Sequence, residues 1–184
     1  RLHIQIEATR LAYADRNAFV ADPRHADVPV EYLLSADHAA DLRSLISMDK
    51  AMENVPRPKL PAHPDTVYLC VVDEEGNAVS FINSLYNGFG SGLCAPMSGV
   101  TLQNRGCGFV LDPDHPNCIA PKKRPFHTII PGMLAKDGKA VMPFGVMGGP
   151  YQACGHAHVL TGLLDLGLDM QEVMDQPRVF HNAG

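Results

Sequence analysis

None of the 184 residues belongs to an apolar run of the ~18 positions that a membrane-spanning helix needs, so no span is expected. There is no basic stripe. The 15 Lys and Arg against 20 Asp and Glu leave a net charge of -5, which argues against nucleic acid as a partner. There is no C-x-x-C pair and no metal-ligand spacing among the histidines and cysteines. His156 and His158 would share a face only on a strand, and their surroundings read as helix. No metal or other cofactor is therefore expected. The five cysteines, an odd number, read as free thiols and small buried hydrophobes, which leans towards a reducing, cytoplasmic compartment. No internal repeat is visible.

The composition is that of a soluble globular protein, 46% hydrophobic and 19% charged, with a mean hydropathy of -0.05. The length suits one ordinary domain with its own core. The chain opens without Met inside an apparent helix and stops at Asn182-Ala183-Gly184 with no closing element, as expected of a piece of a longer protein.

Helical spacing of Leu2, Ile6, Ala8, Leu11, Ala12 and Phe19 predicts a first helix over 2–20, ended near Asp22-Pro23. Ser35 is the expected N-cap of a second, to about Met48. Four prolines in the eleven positions 54–64 predict an exposed linker. Val67 to Val72 is then a continuous apolar run, the mark of a strand buried on both faces. With the turn at 73–77 and a strand over 78–85 it makes a hairpin. Further strands are expected around 99–102, over 126–134 and over 139–146, the last two joined by Lys136-Asp137-Gly138. Gly148-Gly149-Pro150 leads into a helix over 151–166, which Gly167 terminates, and Asp169 caps a short helix ending before Gln176-Pro177. Helices, then strands, then helices imply an α+β layered fold.

Four places could carry chemistry. Thr66 stands where the linker meets the buried strand. Threonine there is ordinarily just a good strand starter. If the bond before it were cut, however, its new α-amine, with a pKa near ~8, could act as base for its own hydroxyl. Gly145-Val-Met-Gly-Gly-Pro150 reads plainly as a tight turn, or else as backbone N–H groups and a helix dipole aimed at an oxyanion. Asn87 to Gly92 is glycine-rich, but no lysine follows and it leaves a hairpin strand, so nucleotide binding is not expected. Lys122-Lys-Arg124 is ordinarily a solvated run, here leading into Ile129-Ile130.

In order and spacing these features resemble the gamma-glutamyltranspeptidase family of N-terminal-nucleophile (Ntn) hydrolases. Leu11-Ala-Tyr-Ala-Asp-Arg16 with Asp22-Pro23 looks like the end of that family's large subunit. Thr66 with Val71-Val-Asp-Glu-Glu-Gly-Asn-Ala-Val79 resembles the start of its small subunit. Phe89-Gly-Ser-Gly92, Lys123-Arg-Pro125, Gly145 to Gly149 and Gln176-Pro-Arg178 follow in family order. The resemblance implies a four-layer αββα sandwich, only partly covered here. Residues 1–65 would be the end of the large subunit with its linker, and 66–184 the beginning of the small, catalytic one. Both subunits would come from one precursor cut before Thr66, and the family allows a higher homo-oligomer. The substrate would be a small-molecule amide, in the family's case a gamma-glutamyl compound of glutathione metabolism.

Carried over by position, Thr66 is the nucleophile, Gly148 and Gly149 form the oxyanion hole, and Ser84 replaces a threonine hydroxyl beside the nucleophile. The substrate pocket departs from the family pattern. Tyr86 stands in place of an asparagine, Arg105 of a glutamine and Gly108 of an aspartate, and His127 and Thr128 replace paired serines. The segment between Phe109 and Arg124 is shorter, so the family's lid is expected to be missing. A cation at 105 without a carboxylate at 108 repels a substrate ammonium group. Lidless members and the glutaryl-cephalosporin acylases are the natural comparisons.

Overall fold

The computed structural model describes residues 1–53 and 64–180, with residues 64 and 65 by their backbone alone. The chain is a mixture of helix and strand that falls into two compact units. One gathers stretches from Arg1–Leu60, Gly106–His127 and Val179–Gly184, the other from Pro61–Arg105 and Thr128–Arg178.

The first unit holds α1 (Leu2–Phe19), α2 (Val30–Leu33) and α3 (Ala36–Ser44). The first helix and the Ser35 cap stand as expected, the Ser35 side chain accepting from the His38 N–H, while α3 stops well short of Met48. The unit is fastened by buried charge. Glu7 accepts from Arg10 and from the Met52 N–H, and His38 meets Asp15 at 2.7 Å. Asp22 receives Arg24 and Arg124, whose hydrogen bonds hold its carboxyl well below the usual carboxylate range. The Asp22-Pro23 and Lys-Arg-Pro motifs thus form one ion-paired corner.

The second unit holds two antiparallel hairpins and two helices. The strands β1 (Pro64–Val72) and β2 (Ala78–Asn87) make the first hairpin, and β3 (Gly132–Lys136) and β4 (Lys139–Phe144) the second. The hairpins touch where Tyr68 lies across Gly145 and the Ser80 hydroxyl donates to the Phe144 carbonyl. Helix α4 (Tyr151–Leu160) runs on into a π-type turn (Thr161–Asp165), and Gly167 with φ 65° ends it. Helix α5 (Met170–Asp175) has a full capping box from Asp169 and Glu172. Val173 from α5 is the most buried apolar side chain and fills the space that Gly162 leaves open.

Four expectations are corrected. The strand at 67–72 forms, but Val67, Leu69 and Val71 are 61%, 46% and 58% exposed. Cover is confined to the part of the opposite face around Tyr68 and Ile82, with Cys70 and Val72 beyond it exposed, and no further layer lies over the Val67-Leu69-Val71 face among the described residues. Residues 99–102 make a single bridge, Cys94 to Thr101, beside the tight turn at Ser98-Gly99. The strand expected over 126–134 begins only at Gly132: Pro131 has no N–H, and the Ile130 N–H is taken by the Gln152 side chain instead of a ladder. Cys70, Cys94 and Cys107 are exposed rather than buried. A 3₁₀ turn at Arg105–Gly108 had no sequence signal. The proline-rich linker expected over 54–64 lies, for 54–63, outside the described residues.

Candidate active site

The hairpin β1–β2 is regular from Val67 to Val72 and irregular at its open end. Asp65 pairs with Tyr86 and Val67 with Asn83, so Thr66 alone faces Ser84 and Leu85. This is a β-bulge with the extra residue on β2, a device that re-aims side chains at a sheet margin. Its product is a hydrogen bond in which Thr66 Oγ1 donates to Ser84 Oγ at 3.1 Å. The Tyr86 N–H donates to the same Ser84 oxygen at 3.0 Å. Thr66 and Ser84 line a hollow of about 350 Å³ whose other walls include Val67, Leu69 and Phe81.

Tyr86 has φ 80°, a left-handed backbone that a bulky side chain rarely adopts and that costs on the order of 1–3 kcal/mol. Over its ring, 5.0 Å from the centroid, lies the Arg105 guanidinium. Arg105 is 3% exposed and donates from Nη1 to Thr128 Oγ1 at 2.8 Å, and its own N–H is received by the Gln103 side chain. An unbroken series of contacts therefore runs Thr66, Ser84, Tyr86, Arg105, Thr128. Of the residues expected at the site, five are brought together. His127 is exposed and falls in the other compact unit.

Gly148 and Gly149 stand at the turn from β4 to α4 with φ 122° and 56°. Both values favour glycine, and at Gly148 a Cβ would press on Tyr151 at 3.3 Å. Their carbonyls accept from the Tyr151 and Gln152 N–H groups. Among the described residues neither glycine N–H is taken by a backbone acceptor in a turn or loop. No hydrogen bond joins this pair to Thr66 among the described residues. Gln152 was missed by sequence reading, since glutamine in a helix reads as solvent-facing. It is 0% exposed, and its Oε1 fixes Ile130, two residues from Thr128. Tyr68, also missed, packs on Gly145 and meets Ser80 at 3.1 Å; burial pushes its phenol pKa up against the lowering effect of that bond. Among the described residues no cluster of three His, Cys, Asp or Glu could hold a metal.

A family model described as gamma-glutamyltranspeptidase matches residues 1–184. The chain belongs to the gamma-glutamyltranspeptidase family. It is 40% identical over 176 residues to a glutathione hydrolase-like proenzyme of Bacillus subtilis, covering 96% of this chain and 33% of that protein. To the oxamate amidohydrolase proenzyme of Klebsiella pneumoniae it is 41% identical over 177 residues, with the same coverage of each. Among solved structures, a cephalosporin acylase from Bacillus halodurans superposes with a TM-score of 0.86 at 45% identity, covering 98% of this chain and 33% of that one. The chain thus spans about a third of the length of the gamma-glutamyltranspeptidase relatives it matches.

Proposed function

We propose that this chain is the central part of an autoprocessed amidohydrolase, cut before Thr66, that works through a threonyl ester. The observation that carries the reading is the hydrogen bond from Thr66 to Ser84 at the bulged sheet margin, in a chain whose relatives are proenzymes. In the cut protein the Thr66 amine takes the proton of its own hydroxyl. The oxygen adds to the substrate carbonyl, and the Gly148 and Gly149 N–H groups receive the oxyanion. The amine portion departs with a proton, and water resolves the ester. Residues 1–65 would end the large subunit and 66–184 begin the small one. The missing parts of both would complete the αββα sandwich.

The acyl group is one that bears a carboxylate. Gamma-glutamyl amides are the family's own substrates, but Arg105 and the absence of a carboxylate at Gly108 favour a second reading, an acylase for glutaryl-type amides without the α-ammonium. Oxamate, for which one relative is named, is likewise an amide with a carboxylate and no ammonium. Hydrolysis is favoured over transfer, because a short 109–124 segment leaves the site open to water.

The intact mass of the full-length protein and of Thr66→Ala, taken under denaturing conditions after incubation, tests the nucleophile. A break between Asp65 and Thr66 in the wild type alone is the expected result. Two uncut proteins would overturn the reading and leave a family member that serves as a scaffold.

A further inference from the structure

Nothing in the hydrolytic scheme requires a strained tyrosine beside the nucleophile, yet one is there. Tyr86 takes a left-handed backbone at the residue facing Asp65, beside the bulge that frees Thr66 from the ladder. Its N–H points at Ser84 Oγ, the atom that also accepts the Thr66 hydroxyl. A serine oxygen has two lone pairs, and these two donors occupy both, so the direction of the Thr66 O–H follows from where the Tyr86 N–H sits. A bulky residue persists in this conformation only where its surroundings over-determine it. Here the Arg105 guanidinium lies 5.0 Å from the ring centroid and is itself held by Thr128 at 2.8 Å.

We propose that Tyr86 and Arg105 are positioning residues for self-cleavage: the stacked guanidinium keeps a left-handed backbone whose N–H fixes Ser84 as acceptor of the Thr66 hydroxyl. The inference rests on the reading of Thr66 as the nucleophile. In the step concerned, Thr66 Oγ bonds to the carbonyl carbon of residue 65 and the C–N bond breaks. The hydroxyl proton ends on the freed amine. Water then splits the ester, leaving a carboxylate on residue 65 and restoring the hydroxyl with release of a proton. Self-cleavage uses no external substrate, so a residue that only contacts substrate leaves its rate alone.

The experiment follows self-cleavage of the full-length protein over time by intact mass, after cell-free synthesis. Tyr86→Val, whose branched side chain resists the left-handed region, is expected to cleave ~10-fold more slowly than wild type, and Tyr86→Phe to recover most of that loss. Arg105→Met should slow cleavage by about 3-fold or more in the parent, but not in a Tyr86→Gly background, where the backbone needs no clamp. Melting temperatures of the same variants carrying Thr66→Ala, which cannot cut, separate misfolding from mispositioning. The proposal is overturned if stably folded Tyr86→Val cleaves at the wild-type rate, or if Arg105→Met acts equally in both backgrounds. A wild type that does not cut at all removes the nucleophile reading, and this inference with it.

Discussion

At position 105 a guanidinium is buried against a tyrosine ring and a threonine hydroxyl. On the proposed reading, in which Arg105 borders the acyl pocket, a substrate ammonium would meet a like charge in a partly desolvated setting, where repulsion is screened less than in water. For the full-length protein, kcat/KM for a glutaryl anilide is therefore expected to exceed that for the gamma-glutamyl anilide by ~10-fold, about 1.4 kcal/mol. The two compounds differ only in the ammonium group, so a gamma-glutamyl preference would show that Arg105 does not select the substrate. Thr66 and Ser84, which the structure brings together, sit in strings that were readable in the sequence. The backbone of Tyr86 was not, because φ at a non-glycine residue is set by what surrounds it rather than by its side chain.

Among the elements, the junction of the two hairpins depends on one missing methyl. A Cβ on Gly145 would stand 2.3 Å from the Tyr68 ring, well inside contact distance. The ring cannot swing away without giving up Ser80, which in turn holds the Phe144 carbonyl. Gly145→Ala is expected to destabilise the protein by about 1–3 kcal/mol, the usual cost of overpacking, read as a lower denaturation midpoint with unchanged slope. A midpoint equal to wild type would mean that the hairpins yield at this seam. Capping chemistry and hairpin turns were legible because they are local: Ser35, Asp169 and Gly167 act on their own neighbours. The strand at 126–134 was misread because its competitor, the side chain of Gln152, lies over twenty residues away in sequence.

On the scale of the whole molecule, a buried carboxylate and a half-buried imidazole give stability a common pH slope. Burial pushes His156 below its ordinary value against the opposing bond with Ile130, and its ring packs on Phe144 at 4.7 Å. Its folded state binds protons less readily than the unfolded chain. Its stabilising contribution is therefore complete above about pH 6.5 and is lost as pH falls towards the depressed folded value. Asp22, held down by Arg24 and Arg124, has the same sign lower on the scale. Its contribution is present above about pH 4 and lost below. The melting temperature is expected to fall between pH 7.5 and 5.5, and His156→Phe to flatten that fall while leaving the acid limb. An unchanged slope in the variant would assign the upper limb to other groups.

The sequence by itself determined the order of the elements, their caps and turns, the family, and the residues available for chemistry. All of these depend on neighbours within a few positions or on strings that survive intact. Only the tertiary structure decided which face of β1 is covered, that Asp22 is shared by two arginines a hundred residues apart, and that Thr66, Ser84, Tyr86, Arg105 and Thr128 form one connected series. Those facts arise from the bulge in β2 and from side chains meeting across long sequence separations, where no local pattern in the chain carries the information.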